Sequence, residues 1–139
     1  MSKGLKIVVI AFLVGIGVEV WILWPRAGCG PPPHATLLHM HCQGDIARLS
    51  LACHEYLIDY GTNPTGDLAA LVAQLKGDNP HHKAYMEFPS KKVNKRGEFI
   101  DPWGSPFEVS FDPTNGEACI RSAGRDKQFG DKDDITSWQ

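Results

Sequence analysis

A chain of 139 residues and 15.3 kDa has room for one ordinary domain, and its 14 Lys and Arg against 16 Asp and Glu leave a formal charge of −2. No basic excess advertises phosphate binding, so nucleic acid is not an expected partner. Once an apolar N-terminus is set aside, about 110 residues remain, which bury roughly two-thirds of their unfolded surface; one modest core, helped by a metal ion or a disulfide, is expected.

The first element is the run from Ile7 to Trp24, IVVIAFLVGIGVEVWILW, whose single charge is Glu19. As a helix it would extend roughly 27 Å, enough to cover a bilayer core. Lys3 and Lys6 precede it and only Arg26 follows closely, so the positive-inside bias predicts a cytoplasmic N-terminus and an exported remainder. Trp21 and Trp24 would sit at the far interface, with Glu19 within about two turns of the outer end, where it snorkels to water or pairs with a partner. Pro25-Arg26-Ala27 is a poor small-x-small cleavage site, so the anchor is expected to stay uncleaved. Ala27-Gly28-Cys29 also looks like the end of a lipoprotein box, but Arg26 stands where such boxes carry an aliphatic residue. Residues 1–27 thus read as cytoplasmic N-terminus and transmembrane anchor, residues 28–34 (GCGPPPH) as a Gly/Pro hinge, and residues 35–139 as the globular domain.

Beyond the hinge, Leu38, Cys42, Ile46, Leu49, Cys53, Tyr56 and Tyr60 recur at spacings of four and three, the stripe of an amphipathic helix that ends at Gly61. Asp45, Arg48, Glu55 and Asp59 are assigned to its polar face. Cys42 and Cys53, about 16 Å apart along a helix, cannot pair with each other; Cys53 with Cys119 is the most plausible bridge, and burial of both helix cysteines as free thiols is the competing reading. His39, His41 and His54 sit on this helix without a usable zinc spacing, because residues two apart point to different sides, and they read as solvated. His81 and His82 belong to a polar loop. After the helix come Pro64-Thr65 and then Leu68-Ala69-Ala70-Leu71, a short second helix that Thr65 or Asp67 can cap.

The last third reads as antiparallel sheet: Gly97 to Ile100, Pro106 to Phe111 and Glu117 to Arg121, with Asn115-Gly116 turning a hairpin between the last two. Trp103 is assigned to the core, at a turn. Asp45-Ile46, Tyr56, Asp59-Tyr60-Gly61, Pro64-Thr65, Asp101-Pro102-Trp103-Gly104-Ser105-Pro106-Phe107, Ser122-Ala123-Gly124-Arg125-Asp126, Asp133-Asp134-Ile135 and Ser137-Trp138 follow one another in this order. That succession resembles the major pseudopilins of bacterial type II secretion systems over residues 45 to 138. The resemblance implies an α+β, pilin-like domain, a helix packed on a small antiparallel sheet, held at the cell inner membrane with the domain in the periplasm. It also implies the lipid bilayer, other secretion-system pseudopilins and inner-membrane proteins as partners, with no small-molecule substrate.

Asp126, Asp131, Asp133 and Asp134 crowd one glycine-containing loop, and carboxylates so close repel unless a cation intervenes. Ca²⁺ suits a flexible oxygen-rich loop better than Mg²⁺, but the spacing is not an EF-hand and a solvated acidic loop is the plainer reading of the residues alone. The resemblance implies a structural Ca²⁺ held by the side chains of Asp126, Asp133 and Asp134 and the carbonyls of Ala123 and Asp131. The N-terminus departs from the family pattern: Val9 stands where a glutamate is expected, Glu19 lies deeper, and the hinge interrupts the helix. The expected product is a non-enzymatic, membrane-anchored relative that keeps the globular module without the polymerisation device. The alternative is a stand-alone envelope binding module or lipoprotein with no secretion role. No nucleophile-plus-base motif, CxxC pair or zinc signature supports an enzyme.

Overall fold

In its computed structural model the chain is described over residues 34–138 and, by backbone alone, at Phe12–Leu13 and Ile16–Gly17. It divides into two units, Met1–Pro32 and Pro33–Gln139. In the first, β1 (Phe12–Leu13) and β2 (Ile16–Gly17) pair antiparallel, Phe12 opposite Gly17 and Leu13 opposite Ile16. The transmembrane helix expected over Ile7–Trp24 is therefore not met at these four positions; the rest of that segment, and the hinge up to residue 33, lie outside the described residues. A run rich in β-branched and aromatic residues fits a pleat as well as a helix, and hydrophobicity alone does not decide between them. Among the described residues, no helix is long and apolar enough to cross a membrane.

In the second unit, α1 (His34–Tyr60) realises the expected amphipathic helix and buries Cys42, Ile46, Leu49, Cys53 and Tyr56. It stops where Gly61 takes φ +68° and donates its N–H to the Leu57 carbonyl at 2.8 Å, a left-handed ending that a residue with a Cβ resists. Asp45 corrects one assignment. It was expected on the polar face, yet it is buried and its carboxylate accepts from the Lys92 ammonium at 2.6 Å. Three residues after Cys42 and four before Leu49, it shares their arc of the helix, and the lysine supplies the charge partner that burial demands.

α2 (Leu68–Lys76) opens on Asp67, whose carboxylate accepts from the Ala70 N–H at 2.9 Å, and buries Leu71, Val72 and Leu75. The following segment is tied back by Asn79, whose side-chain amide donates to the carbonyls of Gln74 and Lys83, both at 2.7 Å. His81 and His82 lie exposed in this loop, and His39, His41 and His54 are exposed on α1.

Three strands, β3 (Glu108–Phe111), β4 (Ala118–Ser122) and β5 (Ile135–Thr136), form an antiparallel sheet in that order, with Val109 opposite Ile120 and Ser122 opposite Ile135. The hairpin between β3 and β4 turns as expected, with Gly116 at φ +74°. Gly97 to Ile100 does not form a strand: it makes only the isolated pairings Val93 with Phe99 and Ile100 with Pro106. Pro102 and Pro106 lack the N–H that a continuous ladder requires. α1 lies against β4 and β5, and Leu49, Phe99 and Ile120 between the layers have no exposed surface. Trp103 packs half-buried against this core. The architecture is the expected α+β helix on a small sheet.

Cys42, Cys53 and Cys119 are free thiols, so the bridge from Cys53 to Cys119 is not made. Ile120 turns inward, so its neighbour Cys119 faces the other side of β4, alongside Ser110 of β3. Burial pushes the Cys42 thiol up to about 11 and the Cys53 thiol up to about 12, which keeps both protonated at neutral pH.

Candidate metal centre

The acidic loop leaves β4 at Ser122 and re-enters the sheet at Ile135. Its entry is fixed from below. The buried Ser122 hydroxyl donates to Asp101 Oδ2 at 2.7 Å and accepts from the Gly124 N–H at 3.1 Å. Asp101, also buried, folds its own turn by accepting at Oδ1 from the N–H groups of Trp103 (3.0 Å) and Ser105 (2.8 Å). The DPWG turn and the loop are thus joined through one serine, a link that the two motifs do not announce separately. Gly124 sits at φ +66°, and a Cβ there would come within 2.2 Å of the Asp133 carbonyl oxygen, so the two ends of the loop meet in a space that only glycine leaves open.

Around this crossing the carboxylates organise the backbone. Asp133 Oδ2 accepts from the N–H groups of Arg125 (2.8 Å) and Asp126 (3.1 Å). Asp126 Oδ1 accepts from Gln128 N–H at 2.9 Å, and Asp131 Oδ1 from Asp133 N–H at 3.1 Å. Asp126, Asp131 and Asp133 each present a carboxylate oxygen to a common point, all within 4.8 Å of one another, on the exposed side of the loop. Such crowding splits the pair nearest one another. A hydrogen bond with the Asp133 carboxylate pushes the Asp131 carboxyl up to about 6, and the same contact, with backbone N–H groups, holds Asp133 below the usual carboxylate range. The opposite directions describe one proton shared between two groups and residing on Asp131.

Asp134 stands apart from these three. Its Oδ2 accepts from the Gly130 N–H at 2.8 Å and lies 3.6 Å from Arg121 Nη1, while its Oδ1 is buried with no partner. Arg121 itself is held by Glu108 across the β3–β4 pair, Nε to Oε2 at 2.8 Å, and lies over the Phe129 ring, 4.8 Å from its centre. Ala123 is fully buried at the first step of the loop. Of the five residues expected at the metal, the structure gathers the side chains of Asp126, Asp131 and Asp133, sets Asp134 beside Arg121, and leaves Ala123 with only its backbone to offer. Asp131, expected to contribute a carbonyl, brings its carboxylate as well.

This donor set fits a hard divalent cation. It is all oxygen and anionic, and has a buried carboxylate oxygen without a partner at its edge. A sulfur or imidazole ligand is absent from the cluster, which disfavours zinc. Sequence reasoning missed Ser122, Asp101 and Arg121 as supports. Arg121 was detectable as the outward-facing neighbour of Ile120 on β4, one strand spacing from the loop.

Residues 38–138 of the chain match the family model described as type II secretion system (T2SS), protein G. No curated protein matches the chain.

Proposed function

We propose, for a chain that belongs to the type II secretion system protein G family, that it serves as a calcium-stabilised pseudopilin-like module on an N-terminal membrane anchor, with its domain in the periplasm. The family is a structural, non-catalytic component of the secretion apparatus, and membership implies work alongside other secretion-system components. The observation that carries the calcium reading is the convergence of Asp126, Asp131 and Asp133 beside the orphan oxygen of Asp134. These residues, with the Ala123 carbonyl, would hold the ion, which supplies positive charge to a loop that otherwise repels itself. The chain's own part is to bring the loop ends together at Gly124 and to hang the loop from Asp101 through Ser122. The apolar run from Ile7 to Trp24 and its flanking lysines support the anchor.

The test is thermal unfolding of a fragment from His34 to Gln139 with Ca²⁺ and with excess chelator. An ion at 100 times its Kd adds about 2.7 kcal/mol and raises the midpoint by several degrees. Asp126→Ala with Asp133→Ala should abolish the difference. Equal midpoints with and without chelator in the unmodified fragment would remove calcium from the reading and leave the family role standing.

A further inference from the structure

α1 is seated on two different kinds of floor. Cys42 is its first buried residue, and the stretch before it, from His34 to His41, places nothing in the core. A helix start held by so few contacts opens at little cost unless something fastens it. The fastening here is polar. The Cys42 thiol lies against the Ser122 hydroxyl, with Asp101, Asp45 and Lys92 close by, and neither Cys42 nor Ser122 has any exposed surface. That hydroxyl is the group that donates to Asp101 Oδ2 at 2.7 Å and accepts from the N–H of Gly124, where the ends of the acidic loop cross. Cys53, about three turns further along the same helix, has an apolar seat: burial alone acts on its thiol, between buried Leu49 and Tyr56. A buried polar seam depends on every partner being in place, whereas an apolar seam rests on the area it buries.

We propose that Ca²⁺ occupancy of the acidic loop governs one half of the core only: without the ion the seam between Cys42 of α1 and Ser122 of β4 opens locally, while the seam at Cys53 stays shut until the whole domain unfolds. The inference rests on the calcium reading and deepens it. In the ion-free loop the carboxylates of Asp126, Asp131 and Asp133 repel one another across a gap of less than 4.8 Å. That repulsion pushes apart the loop ends whose crossing at Gly124 supplies the Ser122 hydroxyl with its donor. Once Ser122 is loosened, the first buried residue of α1 has lost its polar partner and no earlier residue holds the helix down. The half released is the end of α1 that leads back to Pro33, so the ion sets how firmly the domain grips its own N-terminal connection.

The two buried thiols are native probes of the two seams. The test is alkylation by N-ethylmaleimide of the full chain in detergent, in a Cys29→Ser and Cys119→Ser background that leaves only Cys42 and Cys53. Arg48 lies between them, so tryptic digestion puts each in its own peptide and mass spectrometry follows both rates in one sample. In excess chelator Cys42 should react faster than Cys53, at a rate that low concentrations of urea scarcely change. Ca²⁺ at 100 times its Kd should slow Cys42 about 100-fold, because the local opening releases the ion. One common rate for both thiols in chelator overturns the proposal, since the domain then opens only as a whole. A Cys42 rate that ignores Ca²⁺ while the melting midpoint still rises with the ion also overturns it, and leaves the calcium reading intact. If rate and midpoint are both indifferent to Ca²⁺, the calcium reading falls and the proposal falls with it. Ser122→Ala supplies the second readout: Cys42 should become fast with and without Ca²⁺, while the ion still raises the midpoint. A Ser122→Ala chain whose Cys42 is slowed by Ca²⁺ as strongly as before would show that the serine does not carry the coupling, and overturns the proposal.

Discussion

Asp131 shows how one carboxyl can act against the fold in one state and for it in another. Its pKa of about 6 lies above the ordinary 3.8, chiefly through its hydrogen bond with the Asp133 carboxylate. A carboxyl raised by folding contributes stability that is complete below the unfolded value and is lost as pH climbs through the folded one. The window for this loss therefore runs from about pH 4 to about pH 6. Asp133 works in the opposite sense, since its lowered value adds stability above the unfolded pKa that disappears on acidification. Asp131→Asn keeps the oxygen that accepts from the Asp133 N–H and removes the competing charge. In chelator at pH 7 this variant should melt above the unmodified domain, and the two should converge near pH 4. In saturating Ca²⁺ the order should reverse. Calorimetry at the two pH values, with and without the ion, reads all three comparisons. The composition of this cluster was plain in the sequence, because four aspartates in one loop are hard to overlook. The division of labour was not, since which of Asp131 and Asp134 joins the cluster depends on where Arg121 stands on β4.

Among the elements, those marked by local chemistry were readable and those defined by long-range pairing were not. α1 announced itself by a sustained stripe and a terminal glycine, and the β3–β4 hairpin by Asn115-Gly116. α2 showed its start in Asp67, whose cap is worth about 1 kcal/mol. Asp67→Ala should lower stability by that amount in urea unfolding with an unchanged denaturant slope; a loss near zero would mean that burial of Leu71, Val72 and Leu75 holds the helix without its cap. β5 gave no signal because two residues have no period, and its place in the sheet comes entirely from pairing with Arg121 and Ser122. Gly97 to Ile100 gave a false one: its β-like composition is real, but Pro102 just after it and Pro106 opposite Ile100 interrupt the ladder. The cysteine pairing failed for a geometric reason that register alone decides, since Cys119 lies on the face of β4 turned away from Cys53.

At the scale of the whole molecule, two buried carboxylates tie the layers together. Asp101 joins the turn after Ile100 to β4 through Ser122, and Asp45 joins α1 to the short 3-10 turn at Ser90–Lys92. Lys92→Met would strand the Asp45 charge, 3% exposed, with no cation opposite. Breaking a buried ion pair costs roughly 3–5 kcal/mol; with the lysine about one-third exposed, the loss should fall toward the lower figure. Adding Asp45→Asn to Lys92→Met should recover much of it, and chemical denaturation of the three proteins measures the difference. A Lys92→Met protein as stable as the parent would mean that water already shares the Asp45 charge.

Ile135 is nearly inaccessible to solvent and sits on the last strand, so the core that begins at Cys42 is closed by a residue delivered far later in the chain. A polypeptide that emerges N-terminus first must therefore wait. Until residue 135 has appeared, the inward face of α1 has only part of its cover, and β4 keeps an open edge where β5 will pair. The timing of release, from a ribosome or through a pore, thus sets when this domain becomes a folded object, and any factor that shields α1 must act until the last strand has appeared.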